Sequence, residues 1–234
     1  MISIDLTGKV VAVTGGFGSL GAAVGQTLAA AGANVALLDR ADASKAPAHL
    51  TQVFAVGEVD LASPNEANAA MAKIVERFGR LDAIVNIAGG FRWEKIEDGS
   101  IETWDLLYQM NLRTAVNAAR AALPHLLARD AGRVVNIGAN AASRAGAGMG
   151  AYAASKAGVA RFTEALAEEL KDRGITVNAV LPSIIDTPAN RADMPKADFS
   201  RWVKAEQVAD LIVFLLSDRA AAITGASIPI TGRV

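Results

Sequence analysis

The sequence contains no cysteine, and that absence excludes disulfides, thiolate metal sites and cysteine nucleophiles. Its two histidines, His49 and His125, are far apart and lack the spacing of a metal site. Lysine and arginine number 23 against 24 acidic residues, so no basic excess indicates a nucleic acid or an anionic membrane as a partner. No apolar run reaches the roughly 20 residues of a membrane span, and no signal-peptide pattern is present. We therefore expect a cytoplasmic protein with no resident metal and no nucleic-acid or membrane partner.

What the chain does have is a regular alternation of apolar strands and helical stretches. It is 52% hydrophobic and 20% charged, which is enough apolar material for one sizeable core. Short apolar runs without internal polar residues are typical of a parallel sheet with helices on both faces. Strands are predicted at residues 9–14, 34–38, 52–60, 81–90, 133–138, 175–182 and 226–231.

Helices are predicted between those strands. They cover residues about 20–31, a stretch from 63, a long segment from about 104 into the 120s, residues about 152–172, and residues 205–216. Since no linker or composition break interrupts the pattern, we predict a single α/β domain over residues 1–234. It is of the Rossmann type, a doubly wound parallel sheet of about seven strands, with a short substrate loop at about 183–203.

A glycine-rich turn after the first strand points to a dinucleotide. Residues Gly16 to Gly21 match G-x-G-x-x-G between a strand and a helix, which is the context this motif needs. Glycines let the backbone approach a pyrophosphate closely, and the helix N-terminus offers free N–H groups. Asp39 ends the second strand, where a carboxylate accepts hydrogen bonds from ribose hydroxyls and repels a 2′-phosphate. NAD is therefore favoured, and NADP is less favoured although the neighbouring Arg40 could tolerate its phosphate.

Tyr152 and Lys156 stand four residues apart on a predicted helix, so their side chains share one face. An ammonium group one turn away favours the phenolate, lowers the pKa of the tyrosine and creates a usable general acid/base. The alternative is a packed aromatic ring beside a solvated charge, because a bare Y-x-x-x-K occurs often by chance.

Together these features resemble the short-chain dehydrogenase/reductase family over nearly the whole chain. The matching residues are Thr14, Gly15, Gly21, Asp60, Asn86, Ala88, Gly89, Asn111, Tyr152, Lys156, Asn178, Pro182 and Thr187. The resemblance implies hydride transfer with a small-molecule substrate and a homodimer or homotetramer. It also implies Tyr152 as general acid/base, Lys156 as the group that lowers its pKa, and Asn111 as the holder of a water that relays protons to Lys156.

The resemblance further implies a set of cofactor-binding residues. Asp60 and Leu61 would lie near the adenine, and Lys156 would bond the nicotinamide ribose. The whole set is Gly15, Phe17, Gly18, Ser19, Leu20, Gly21, Asp39, Arg40, Asp60, Leu61, Asn86, Ala88, Gly89, Tyr152, Lys156, Pro182, Ile185 and Thr187. Within it, the Asn86, Ala88 and Gly89 group would line the adenosine ribose, and the Ile185 and Thr187 pair would face the carboxamide.

Two positions depart from the family pattern. Ser19 stands where a glycine is usual, and Ala139 stands where the family has a catalytic serine, thirteen residues before the tyrosine. An alanine cannot polarise a carbonyl, but Asn140 or Ser143 could replace the missing hydroxyl. Both departures are similar to the dihydropteridine reductase branch, as are the A-G-G-aromatic turn that ends at Phe91 and the stretch 181–202.

Three functions follow from these residues. The first is an NADH-dependent dihydropteridine reductase, whose quinonoid substrate is already activated and needs no second donor. The second is an alcohol or ketone dehydrogenase of the same family. The third is a non-catalytic dinucleotide sensor, which the intact acid, lysine and asparagine disfavour. Candidate substrate-pocket residues are Phe91, Trp93, Ala139, Asn140, Met149 and Trp202.

Overall fold

The fold is organised around a seven-stranded sheet in which every neighbouring pair of strands is parallel. The structure, a computed structural model, describes residues 4–129 and 131–234. The strands of the sheet are β1 (Val10–Thr14), β2 (Asn34–Leu38), β3 (Phe54–Val56), β4 (Ala83–Asn86), β5 (Arg133–Ile137), β6 (Thr176–Pro182) and β9 (Ser227–Ile230). Their order is β3-β2-β1-β4-β5-β6-β9. The predicted Rossmann-type fold is confirmed, and the strand order reverses between β1 and β4, where such sheets bind ligands.

Helices cover both faces of the sheet. They are α1 (Ser19–Ala30), α2 (Pro64–Phe78), α3 (Ile101–Leu107), α4 (Thr114–Leu127), α5 (Gly150–Leu170), α6 (Pro188–Asp193) and α7 (Ala205–Leu216). Strand β1 shows how the two layers form, since all five of its residues are buried. Val10 and Ala12 belong to the core shared with α2, α4 and α5, whereas Val11 and Val13 belong to the core shared with α1 and α7. The two-residue period of the strand thus supplies both cores.

Two predicted strands are shorter in the structure. The third, predicted at 52–60, is limited to Phe54–Val56, because the chain turns at Gly57 and Glu58, the latter with a φ of 58°. The fourth, predicted at 81–90, ends at Asn86, because the amides of Ile87 and Ala88 both donate to the side-chain hydroxyl of Thr14 at 3.0 and 3.1 Å. The run of apolar residues in the sequence continues past both of these points, so it could not predict where the strands end.

The long helix predicted through Asn111 is interrupted by a wider turn. Between α3 and α4 the residues Tyr108–Arg113 form a π-helical segment, and Asn111 lies inside it. Such segments are rare and recur at functional sites. The chain remains helical across the interruption, so the predicted helix is confirmed in extent but not in regularity.

The predicted substrate loop has a structure of its own. Strand β7 (Ile185–Asp186) pairs with β8 (Val203–Lys204), and α6 lies between them. Arg191 donates to both carboxylate oxygens of Asp186 at 2.6 and 2.8 Å, and its guanidinium lies 4.8 Å from the Phe199 ring centroid. Arg191 on α6 therefore connects β7 with Phe199, so residues 183–203 form an ordered element.

The last strand is held in place by Asn178, which is fully buried on β6. Its Nδ2 donates to the carbonyl of Ile223 at 2.7 Å, and its Oδ1 accepts from the amide of Ala226 at 3.1 Å. The side chain thus satisfies two backbone groups of the turn that leads into β9.

Replacing Asn178 with alanine leaves both of those backbone groups without their partner. We expect the free energy of unfolding to fall by about 3 kcal/mol, measured by urea denaturation. Asn68→Ala, which removes an exposed amide on α2, serves as the control and is expected to change stability by less than about 0.5 kcal/mol. Equal stability of the two variants would contradict the assigned role.

Candidate active site

A cavity of about 530 Å³ opens at the carboxyl ends of β1 and β4, where the strand order reverses. This volume lies within the range of roughly 300–1,000 Å³ that ligand pockets have. The predicted cofactor residues that line it are Gly15, Gly18, Ser19, Leu20, Gly21, Asp39, Arg40, Asp60, Leu61, Ala88, Gly89 and Thr187. Residues distant in sequence therefore meet at one cavity, as the motif and its spacing indicated.

The glycines of the first turn are required by close backbone approaches. Gly15 has a φ of +63°, and a Cβ there would lie 2.9 Å from the amide nitrogen of Ala88. A Cβ at Gly21 would overlap the carbonyl oxygen of Gly15. Helix α1 begins at Ser19 without a side-chain cap and with no acidic residue in its first turn. Its N-terminal amides and positive dipole end are therefore available to an anionic group in the cavity.

Asp39 is fixed at the rim of the cavity by two backbone amides. Its Oδ2 accepts from Phe17 at 3.1 Å, and its Oδ1 accepts from Ala41 at 3.1 Å. Phe17 does not line the cavity; its ring packs against the core on the α1 side of the sheet. Its contribution is the amide that orients the carboxylate.

Asn86 does not line the cavity. Its side chain is buried, and its Nδ2 donates to Asn136 Oδ1 on the neighbouring strand at 2.8 Å. Asn136 in turn donates to the hydroxyl of Thr163 on α5 at 2.9 Å. Asn86 thus connects β4 to β5 and, through Asn136, to α5, and its place beside the adenosine ribose stays a prediction. Pro182 and Ile185 also lie outside the lining set.

Several cavity residues were missed from the sequence. Three lie on loops and four on the continuous helical stretch from α3 to the start of α4, and they are Val59, Ala62, Ile87, Leu106, Gln109, Met110 and Thr114. The last four follow the i, i+3, i+4, i+8 spacing of one helix face. That spacing, beside the predicted Asn111, was the signal that could have identified them.

Tyr152, Lys156 and Asn111 lie next to this cavity without forming its wall. Lys156 is buried, and its Nζ donates to the carbonyl of Ile137 at 2.7 Å. A Cβ at Gly89, which lines the cavity, would lie 3.4 Å from that same Nζ. The lysine therefore reaches the cavity at the turn after β4.

The amide of Asn111 is fully used by protein groups. Its Oδ1 accepts from Gly90 N at 2.8 Å, and its Nδ2 donates to Gly90 O at 3.1 Å and to Ser155 Oγ at 3.0 Å. Both amide hydrogens are thus committed, so the predicted water relay has no free side-chain donor on Asn111. That relay stays a prediction.

Burial determines the protonation of the pair. It raises the pKa of Tyr152 to about 12 and lowers the pKa of Lys156 to about 8. Burial is the cause of both shifts, and the ammonium of Lys156 donates to the Ile137 carbonyl at 2.7 Å. That the ammonium lowers the pKa of the tyrosine stays a prediction.

The predicted substrate residues fall into two groups. Phe91 packs edge to face on Tyr152, with ring centroids 4.9 Å apart, and Trp93 Nε1 donates to Ala147 O at 2.9 Å. Ala139 is buried and precedes an exposed Asn140, and Met149 precedes α5. Trp202, in contrast, is buried within the segment 183–203. The centroid of its ring lies 4.8 Å from that of Phe199.

Comparison with known proteins assigns the family. A family model described as short chain dehydrogenase matches residues 9–198. The chain belongs to this family. Curated relatives include a D-beta-hydroxybutyrate dehydrogenase of Rhizobium meliloti (strain 1021), 31% identical and covering 96% of this chain and 97% of that protein. A 3-oxoacyl-(acyl-carrier-protein) reductase of Escherichia coli (strain K12) is 32% identical and covers 98% of both chains.

Solved structures agree with the assignment of this short-chain dehydrogenase. A double mutant of a Serratia marcescens short-chain dehydrogenase/reductase superposes with a TM-score of 0.89 at 32% identity, covering 97% of this chain and 98% of that one. The protein is therefore an oxidoreductase enzyme that uses a nicotinamide dinucleotide and a small-molecule substrate. The relatives named above are not dihydropteridine reductases, so that branch remains a resemblance.

Two further findings concern this dehydrogenase as far as the structure describes it. In residues 4–129 and 131–234, no helix has both the length and the apolar composition needed to cross a membrane. Over the same residues, no three potential metal-binding side chains of the His, Cys, Asp or Glu type come together.

The low pKa of Lys156 links stability to pH. The folded pKa is about 8 against 10.5 for a free lysine, so between these values the unfolded chain binds more protons and the free energy of unfolding rises with pH. We expect Lys156→Met to abolish a rise of up to about 3 kcal/mol, measured by denaturation from about pH 7 to about pH 10. Lys73→Met on the exposed face of α2 serves as control and keeps the rise. A rise that persists in Lys156→Met would refute the link.

Proposed function

We propose that this enzyme transfers hydride between NAD(H) and a small organic molecule, with Tyr152 as the proton donor in the reduction direction. The observation that carries the proposal is that the glycine turn of residues 15–21 (the cradle) and Asp39 line one cavity, and that the buried Lys156 lies beside Gly89 of the same cavity. Tyr152 stands one helical turn before the lysine. A sensor would need the cradle but not an acid beside a buried lysine.

The cavity residues fit a dinucleotide. The cradle that a Cβ would fill at Gly21, together with the uncapped start of α1, suits a pyrophosphate. Asp39 is placed to accept ribose hydroxyls, Asp60 and Leu61 to border the adenine, and Lys156 to hold the nicotinamide ribose. The bound dinucleotide supplies the hydride.

The protein's own part is to position the reactants and deliver a proton. With a pKa of about 12, Tyr152 is protonated at neutral pH and therefore suited to donate. With a pKa of about 8, Lys156 is mostly charged at neutral pH and can bind ribose hydroxyls as an ammonium group.

For the substrate we propose a quinonoid dihydropteridine. The supporting observation is Ala139, which is buried at the start of the turn where the family has a serine. A methyl group offers no hydrogen bond to a substrate carbonyl, so a substrate that is already electrophilic suits this site better than a simple ketone. The aromatic rings of Phe91 and Trp93 suit a flat ring system.

The second candidate is the oxidation of a hydroxy compound or the reduction of its oxo partner. The names of the relatives favour it, since both act on such pairs. On this chain Asn140 is exposed beside Ala139, and Ser143 follows within one turn, with its amide donating to Asn140 O at 3.1 Å. Either side chain would then take the place of the missing hydroxyl.

We also propose a homodimer or homotetramer, built on the Asn111 helix and α5, in the cytoplasm. Large apolar side chains on α3 and at the start of the π-helical segment support a subunit contact there, because they are exposed in the single chain: Ile101, Trp104, Leu106 and Tyr108.

Tyr152→Phe removes the proposed proton donor and should lower kcat by on the order of 100-fold or more, while NADH affinity stays within a few-fold. Tyr108→Phe, at an exposed ring on the π-helical segment, is the control and keeps wild-type turnover. NADH oxidation is measured with quinonoid dihydropteridine and with a panel of 3-oxo compounds. We expect a larger kcat/KM for the dihydropteridine; the reverse order supports the second candidate, and binding without any turnover supports a sensor.

Asp39→Asn removes the charge that would repel a 2′-phosphate and keeps the shape of the side chain. We expect the ratio of kcat/KM for NADPH to that for NADH to rise by on the order of tenfold. Asp42→Asn, an exposed carboxylate three residues further on, is the control and leaves the ratio unchanged. A wild-type enzyme that prefers NADPH would overturn the assignment of NAD.

A further inference from the structure

The turn after β4 is connected to Tyr152 through two buried side chains. Gly90 exchanges both of its backbone hydrogen bonds with the amide of Asn111, and that amide donates to Ser155 Oγ at 3.0 Å. Ser155 Oγ in turn donates to the carbonyl of Tyr152 at 2.7 Å. The backbone of the turn and the backbone of the proposed proton donor are thus held in a fixed relation.

The side chain of Phe91 makes a second connection. Its ring lies 4.9 Å from the ring of Tyr152 at an interplanar angle of 87°, which is the favourable edge-to-face arrangement. The same side chain is 56% exposed. The ring therefore makes its contact with Tyr152 while more than half of the side chain stays in solvent.

The turn that precedes Phe91 packs closely against the π-helical segment. A Cβ at Gly90 would overlap the sulfur of Met110, and a Cβ at Gly89 would lie 2.5 Å from Asn111 Oδ1. The backbone therefore packs against the π-helical segment without spare room. The close packing of Gly89 and Gly90 places the backbone that leads into Phe91 beside the segment that holds Asn111.

We propose that Phe91 is a positioning residue for Tyr152: its ring holds the phenol in the orientation that faces the substrate and shields it from water. This inference rests on the proposed function, in which Tyr152 donates the proton. Phe91 acts through the tyrosine and need not touch the reacting atoms.

The protonation of Tyr152 agrees with such shielding, because burial is the cause that raises its pKa to about 12. The titratable groups on the elements around this turn of α5 include Lys156, Arg92, Glu94, Lys95, Glu102, Asp105, Tyr108, Arg113 and Arg144. Of these, Lys156 donates to Ile137 O, and Arg92 and Glu94 both contact the hydroxyl of Thr103. Uncovering the phenol should therefore bring its pKa back toward the ordinary value.

The experiment uses the fact that the chain has only two tyrosines. In a Tyr108→Phe background, the tyrosinate absorbance reports Tyr152 alone, with or without activity. We expect Phe91→Ala to move the pKa of Tyr152 toward about 10 and to lower kcat by about tenfold, with the Kd for NADH unchanged. Phe91→Trp restores an aromatic ring and is expected to recover both values, whereas Phe91→Leu is not.

Ile96→Ala removes another exposed apolar side chain from the same segment and serves as control, with wild-type titration and turnover. Thermal unfolding checks the variants, and if Phe91→Ala does not fold, the comparison of Phe91→Leu with Phe91→Trp decides. Wild-type ionisation and turnover in a variant without the ring would overturn the proposal. Failure of the proposed function has a different signature, namely full turnover in Tyr152→Phe.

Discussion

The site depends on one hydroxyl. Thr14 ends β1, and its hydroxyl accepts hydrogen bonds from the amides of both Ile87 and Ala88. Strand β4 therefore ends at Asn86, at the point where the strand order reverses. The following turn then meets Asn111, whose amide passes the connection on to α5 and hence to Tyr152. A single side chain at the switch point thus sets the relative positions of the dinucleotide cavity and the proposed proton donor, which lie on different elements of the fold.

The architecture could be predicted because it depends on periodicities that are visible in the sequence. Apolar runs on both faces of each strand indicate a parallel sheet, and the glycine turn places the first helix. The errors fall where the backbone turns for other reasons. Glu58 adopts a positive φ without being a glycine, and the ordered segment 183–203 is held by an arginine that pairs with Asp186 and stacks on Phe199. Long-range polar contacts of this kind carry no local pattern.

The candidate site, like the fold, was predictable from the sequence only in part. The cradle and Asp39 follow a motif with a fixed structural context, so their meeting at one cavity was predictable. The hydrogen bond from Asn86 to Asn136 on the neighbouring strand was not predictable, because it joins residues fifty positions apart. Helical spacing predicted the proximity of Tyr152 and Lys156, but it could not predict that burial raises the pKa of Tyr152 and lowers the pKa of Lys156. Burial depends on the packing of the whole chain and therefore cannot be inferred from local spacing.

The arginine that ties residues 183–203 together also affects how substrates are distinguished. A segment that is ordered by its own ion pair, ring contact and short strand pair loses its conformational entropy when the chain folds, so little of that loss remains for the moment of binding. Thr187, which borders the cavity, belongs to this preorganised wall. On the proposed function, a substrate that contacts this segment would be selected by its fit to a surface whose shape is set before binding.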